Sequence, residues 1–242
     1  MKKIGLLLLV ISLMGSSCVF INGKRKRGNG NIVTVERSVG SFRNVHVSGA
    51  IDVYVTQGER KPVKIEGDEN LLQYIEVIDG EDDELKIRTK RGINLRPTKK
   101  MKIYVSSPEF KKLRVSGACN IIGENKISSS DQLTLNVSGA GDIKMEADAP
   151  KIEAGISGSG NVDLKGNTRD FELDLSGAGK ARCFDLLSEN ADIEISGAGS
   201  AEVFASVKID AHVSGAGNIR YKGNASIGEQ RISGAGSVKK VE

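Results

Sequence analysis

Glu172-Leu173-Asp174-Leu175-Ser176-Gly177-Ala178-Gly179, followed by Asp192-Ile193-Glu194-Ile195-Ser196-Gly197-Ala198-Gly199, carries the pattern that decides the fold. In each stretch carboxylates alternate with aliphatic side chains before a Ser-Gly-Ala-Gly corner. Period-two alternation puts Leu173 and Leu175 on one side of an extended strand and Glu172 and Asp174 on the other, as a strand with one buried face requires. Ser-Gly followed by Ala or Ser begins at Ser48, Ser116, Ser138, Ser157, Ser176, Ser196, Ser214 and Ser233. From Ser116 onward the spacings are 22, 19, 19, 20, 18 and 19 residues. A near-constant period of that size is what stacked coils leave in a sequence, and it is too short for helix-pair repeats, which need roughly 33 residues.

Alignment on the Ser extends the argument. The preceding residue is Val47, Val115, Val137, Ile156, Leu175, Ile195, Val213 or Ile232, aliphatic in every copy. Two residues earlier the column is again mostly apolar, from Val45 and Leu113 to Ile193 and Ala211, with Gln230 the exception. Five residues after the Ser another apolar column runs from Val53 and Ile121 to Ile219 and Val238, so a second strand follows each corner. Glycine permits positive φ in the corner, and the small Ala lets coils approach closely. Asp52, Asn120, Asp142, Asn161 and Asn218 stand four residues after the Ser, where such side chains bond nearby backbone in turns. The reading is all-β: a single-stranded parallel β-helix (β-solenoid), right-handed because strand-crossover-strand connections overwhelmingly are.

The chain divides into four parts. Residues 1–17 have the charged, apolar and small-residue zones of a secretory signal: Lys2 and Lys3, the run Ile4 to Leu13, then Gly15-Ser16-Ser17. Cys18 follows and resembles the acylated cysteine of bacterial lipoproteins, which implies an exported outer-membrane lipoprotein facing the periplasm or the cell surface. Gly15 stands where that pattern usually has Leu, so ordinary cleavage leaving a free Cys18 is the alternative. Residues 18–30 read as a flexible tether with the basic cluster Lys24-Arg25-Lys26-Arg27, whose charges are either plain solvation or contacts to anionic headgroups. Residues 31–110 are strand-rich without the tight period; they hold a helical turn within Glu69 to Val77 and cap one end. Residues 111–242 are the regular solenoid.

Composition narrows the function. Without the signal the formal net charge falls from +4 to +2, and no basic stripe interleaved with aromatics remains, which argues against nucleic acid. Three cysteines in 242 residues make no disulfide framework. Cys119 and Cys183 fall three coils, or about 14 Å, apart, beyond disulfide reach, so both are expected as buried free thiols. The repeated Gly-x-Gly has no helix after it and is no phosphate loop.

Four residues before the Ser, Glu153, Glu172, Asp192, Asp210 and Glu229 form a carboxylate ladder beside Asp174 and Glu194. Like charges one rung apart repel unless neutralised. One reading is a weak Ca²⁺ site around Glu172, Asp174, Asp192 and Glu194; the other is a solvated acidic face relieved by nearby Lys and Arg. His46 and His212 share an outward column far apart along the stack and cannot form one relay. Six Phe, four Tyr and no Trp leave little aromatic surface for a sugar-processing groove.

The motifs Phe42-Arg43-Asn44-Val45, Ile51-Asp52-Val53-Tyr54-Val55, Leu85-Lys86-Ile87, Ile103-Tyr104-Val105-Ser106-Ser107-Pro108 and the serial Ser-Gly-Ala-Gly corners together resemble the auto-transporter adhesin, head GIN domain family. The resemblance covers roughly residues 31 to 240. It implies an exported, often lipoprotein-like β-helical protein of Bacteroidetes and related bacteria, and it brings no catalytic motif. The expected function is a non-catalytic envelope lipoprotein, tethered to the outer membrane by its lipid, that presents its outward faces to an envelope, glycan or host-surface ligand; open coil ends leave room for a homo-oligomer. The alternative is a polysaccharide lyase or hydrolase on the same fold.

Overall fold

A computed structural model describes residues 23–242; the signal segment and Cys18 lie outside them. Two long faces meet at the glycine corners. On the face leading into the corner the spatial order is Ile75–Asp79, Glu84–Thr89, Asn44–Gly49, Lys112–Gly117, Gln132–Gly139, 151–158, 170–177, 190–197, 208–215 and Ser226–Gly234. On the face leaving it the order begins Ile32–Arg37, Val63–Asp68, Lys102–Ser107, Asp52–Gln57, Asn120–Gly123 and ends Ser200–Phe204, Asn218–Lys222, Ser237–Lys240. All eight corner serines stand in one register, Ser48 beside Ser116 and so on to Ser214 beside Ser233. The chain is a β-solenoid with a strand-rich N-terminal part.

The apolar columns close the interior as their period requires. Val47, Val115, Val137, Ile156, Leu175, Ile195 and Val213 are all buried, as are Val53, Ile121, Ile143, Val162, Ala181, Ala201 and Ile219. In the last rung the column opens: Ile232 is 42% exposed. Cys119 and Cys183 are buried free thiols, as the register predicts, and burial pushes their pKa values up to about 11 and about 12.

Each corner is held by a bond between rungs. The amide of Ala198 donates to the carbonyl of Gly177 at 2.8 Å, and that of Ala216 to Gly197 at 2.8 Å. The carbonyl of the lower glycine therefore points at the Cα of the upper one. A Cβ on Gly197 would lie 2.6 Å from the Gly177 oxygen, and its φ is +126°, a region open essentially to glycine alone.

Three expectations are sharpened or corrected. First, the loss of the tight period over residues 31–110 is an interruption: the Ser48 strand stacks directly on Lys112–Gly117. The chain then departs through residues 58–111 and lays Glu84–Thr89 and Lys102–Ser107 on the outer side of that first rung. Antiparallel strands Val63–Asp68 and Ile75–Asp79 finish the cap, and the 3-10 turn Glu69–Tyr74 drops Leu71 and Leu72 into the open end of the core. Second, Lys24–Arg27 is not a loose tether. It forms a strand parallel to Ile93–Arg96, anchored by the Lys24 amide on Gly92 O at 2.7 Å and the Gly28 amide on Arg96 O at 2.9 Å. Third, the Asp and Asn after each corner bond across rungs instead of locally: Asn120 Nδ2 donates to Asp52 Oδ1 at 2.8 Å, and Asn161 Nδ2 to Asp142 Oδ1 at 2.6 Å.

Asp68 ties the cap together. Fully buried, it accepts the Gly30 amide, the Thr98 amide and the Thr98 hydroxyl, each at 2.8 Å. Burial alone would raise its pKa, but these donors outweigh it and leave the pKa below the ordinary value.

Two outcomes test this account. Gly197→Ala should cost about 3 kcal/mol, read as a lowered thermal midpoint with an unchanged far-UV β signal. Asp68→Asn should also melt lower. Because the folded pKa of Asp68 is depressed, its stabilisation is complete above the ordinary carboxylate range and disappears as the pH falls through the lowered value. The gap between wild type and variant in a pH series of melting curves should therefore close at acid pH.

Candidate functional site

The carboxylate ladder lies on the outer side of the face that leads into the corners. Pairing aligns Glu153 with Glu172, Glu172 with Asp192 and Asp192 with Asp210, while Asp174 stands beside Glu194. The outward column that contains Asp174 and Glu194 has no side chain at Gly155. That gap opens a shallow groove of about 410 Å³ lined by Asn136, Glu153, Glu172, Asp174, Asp192 and Glu194 among others. The four residues singled out from the sequence, Glu172, Asp174, Asp192 and Glu194, are thus brought to one place.

Neighbouring columns relieve part of the repulsion. Lys151 Nζ bridges Glu153 and Glu172 at 2.8 Å each, and those two carboxylates raise its pKa. Lys208 pairs with Asp210 at 2.6 Å and holds that carboxyl below its usual pKa. Asp174 and Glu194 form no ion pair among the described residues. Nor do three or more His, Cys, Asp or Glu side chains converge there in a metal-holding arrangement. What the groove offers is a strip of negative charge open to water.

The other face treats its outward row differently. Lys144, Asp163, Arg182, Glu202 and Arg220 alternate in sign across successive rungs, with Arg182 on Asp163 at 2.7 Å and Arg220 on Glu202. Toward the cap the same row becomes Ile122, Tyr54, Tyr104 and Lys64. The Tyr54 and Tyr104 rings stack at 5.2 Å between centroids, and the Lys64 ammonium sits over Tyr104 at 5.5 Å. The stack covers the sides of the two rings that face each other. This pair escaped the sequence reading, although Val53-Tyr54-Val55 and Ile103-Tyr104-Val105 share one alternation.

Groups able to act as nucleophile or base are scattered. His46 bonds Ser116 Oγ at 2.9 Å, and burial lowers its pKa. His212 lies six rungs away along the same column, 3.6 Å from Glu229. The two thiols are buried in the core with raised pKa values.

A parallel β-solenoid with one antiparallel cap and charged outward columns is therefore the class of protein these features define. The chain belongs to the family described as "Putative auto-transporter adhesin, head GIN domain", whose model matches residues 41–225. A solved "putative lipid binding protein" from Parabacteroides distasonis is 26% identical, with a TM-score of 0.74 over 90% of this chain and 100% of its own. A "putative adhesin" from the same organism is 27% identical, with a TM-score of 0.64 over 90% and 100%. One from Bacteroides fragilis, 24% identical with a TM-score of 0.82 over 89% and 100%, shares the fold. No functionally curated protein matches this chain.

Lys151→Gln should lower the melting temperature at low ionic strength, because Glu153 and Glu172 would then face each other unbridged. Added salt should shrink the difference from wild type. A salt-independent loss would place the role of Lys151 in packing.

Proposed function

We propose that this chain is a non-catalytic cell-envelope lipoprotein, anchored in the outer membrane through Cys18, whose solenoid faces bind an envelope, glycan or host-surface ligand. Family membership carries the reading: the matched model spans residues 41–225 and bears an adhesin description. Two relatives above 25% identity are named for lipid binding and for adhesion, and both names fit an exported surface protein. The architecture supports it as well. Outward columns in fixed register give an extended and rigid surface, which suits contact with a long polymer or a flat partner better than enclosure of a small molecule. The scattered His and Cys groups favour binding over turnover.

Mass spectrometry of the mature N-terminus tests the anchor, with an acylated Cys18 expected and an unmodified one removing it. A glycan and matrix-protein array with the unlipidated chain, residues 19–242, tests the binding role. Saturable binding without substrate loss is expected; cleavage of an acidic or neutral polysaccharide would assign the protein to the enzymes instead.

A further inference from the structure

The strand Lys24–Arg27 and its partner Ile93–Arg96 form a two-stranded ribbon outside the main sheet. In a parallel pair, aligned residues face the same side. Lys26 and Leu95 turn inward: Leu95 packs against the core and Lys26 lies over the Tyr74 ring at 5.5 Å. Arg25, Arg27 and Arg96 turn outward and are exposed. Arg27 and Arg96 are directly opposed, and Arg25 is one alternation away, so the Cα atoms of the three arginines stand within roughly 8 Å of one another. Asn70 fixes the ribbon to the body by donating from Nδ2 to the Arg27 carbonyl at 2.8 Å.

None of Lys24, Arg25, Arg27, Arg91, Arg96 and Lys99 forms an ion pair among the described residues, and residues 1–22 contain no Asp or Glu. Nearby cations do find partners: Lys100 pairs with Asp52 at 2.9 Å and Arg88 with Glu76 at 2.8 Å. Opposed like charges destabilise a strand pair, and an anion from outside the chain would relieve that repulsion. Guanidinium forks match phosphate in bidentate fashion.

We propose that the ribbon Lys24–Arg27/Ile93–Arg96 is a docking surface for an anionic phospholipid bilayer, with Arg25, Arg27 and Arg96 seated on headgroup phosphates. An extended two-stranded ribbon presents its cations on a flat face, which fits a plane of phosphates. Cys18 precedes Lys24 by six residues, about 20 Å of fully extended chain. The choice of a bilayer thus rests in part on the acylation proposed above, since a lipid on Cys18 would keep the ribbon within that distance of the headgroups. A juxtamembrane cation contributes roughly fivefold in affinity.

The test uses the unlipidated chain, residues 19–242, in flotation assays with vesicles of phosphatidylcholine alone or with phosphatidylglycerol in about a 3:1 ratio. Salt-sensitive binding to the anionic vesicles alone is expected. Arg25→Gln/Arg27→Gln/Arg96→Gln should weaken it by about a hundredfold with no loss of melting temperature, since the variant removes repulsion. Lys144→Gln/Lys180→Gln/Lys239→Gln, with three charges removed from the solenoid, should bind as wild type. Equal binding to both vesicles, no binding at low salt, or an unaffected arginine variant would overturn the proposal. So would retention on heparin through a salt concentration that strips the protein from vesicles, which would reassign the ribbon to an acidic glycan. A free Cys18 would sink the lipoprotein reading while leaving these outcomes intact.

Discussion

The bond from each corner amide to the glycine carbonyl one rung below, Ala198 on Gly177 and Ala216 on Gly197, is the constraint on which the rest depends. It sets the vertical spacing at the one place where the chain turns sharply. It also forbids a Cβ on the glycine above, because the accepting carbonyl occupies the space that a methyl would need. Once the corners are locked, the strands entering and leaving them have no freedom of register. A one-residue slip would turn every inward Val, Ile and Leu outward. The hydrophobic columns stabilise the stack, but the corner decides which residues those columns contain.

That division explains what could be read from the chain. The buried columns were legible because a strict translational repeat copies the same environment every 18 to 22 residues, so Val115, Val137 and Ile156 mark the same place in successive coils. The cap was not legible in detail. Its strand Val63–Asp68 pairs antiparallel with the sequence-distant strands Ile32–Arg37 and Lys102–Ser107, Ile75–Asp79 forms a local hairpin with Glu84–Thr89, and neither arrangement leaves a repeat spacing in the sequence to measure. The departure of residues 58–111 also hid the fact that Ser48 and Ser116, 68 positions apart, are neighbours. Lys24–Arg27 has no apolar alternation at all. It is a strand because Ile93–Arg96 supplies its backbone partners, a cause invisible along either segment alone.

The polar ladder after the corner shows the same limit. Asp52, Asn120, Asp142 and Asn161 look like residues that satisfy their own turns. In the stack, though, these side chains bond the side chain or the amide at the corresponding position of the next coil. A separation of 19 residues from Asp142 to Asn161 becomes a contact of 2.6 Å. The acidic groove was readable for a related reason: stacking brings equivalent positions together, so Glu172 and Asp192 had to meet. The gap at Gly155 that shapes the groove is a single departure from the column and acquires meaning only beside its neighbours.

Translational stacking imposes a cost on any charged outward column, since each residue faces its own equivalent. The solenoid answers in two ways. On the face leaving the corner the sign alternates rung by rung, as in Asp163, Arg182 and Glu202. On the face entering it the ladder stays acidic, and Lys151 and Lys208 reach in from the adjacent column. The basic ribbon follows neither rule. It is not part of the repeat, so its crowding of Arg25, Arg27 and Arg96 is no by-product of stacking, and no carboxylate column runs beside it. Arginines placed outward on a strand that needs none of them for burial are, on the docking proposed above, explained by what they meet outside the fold.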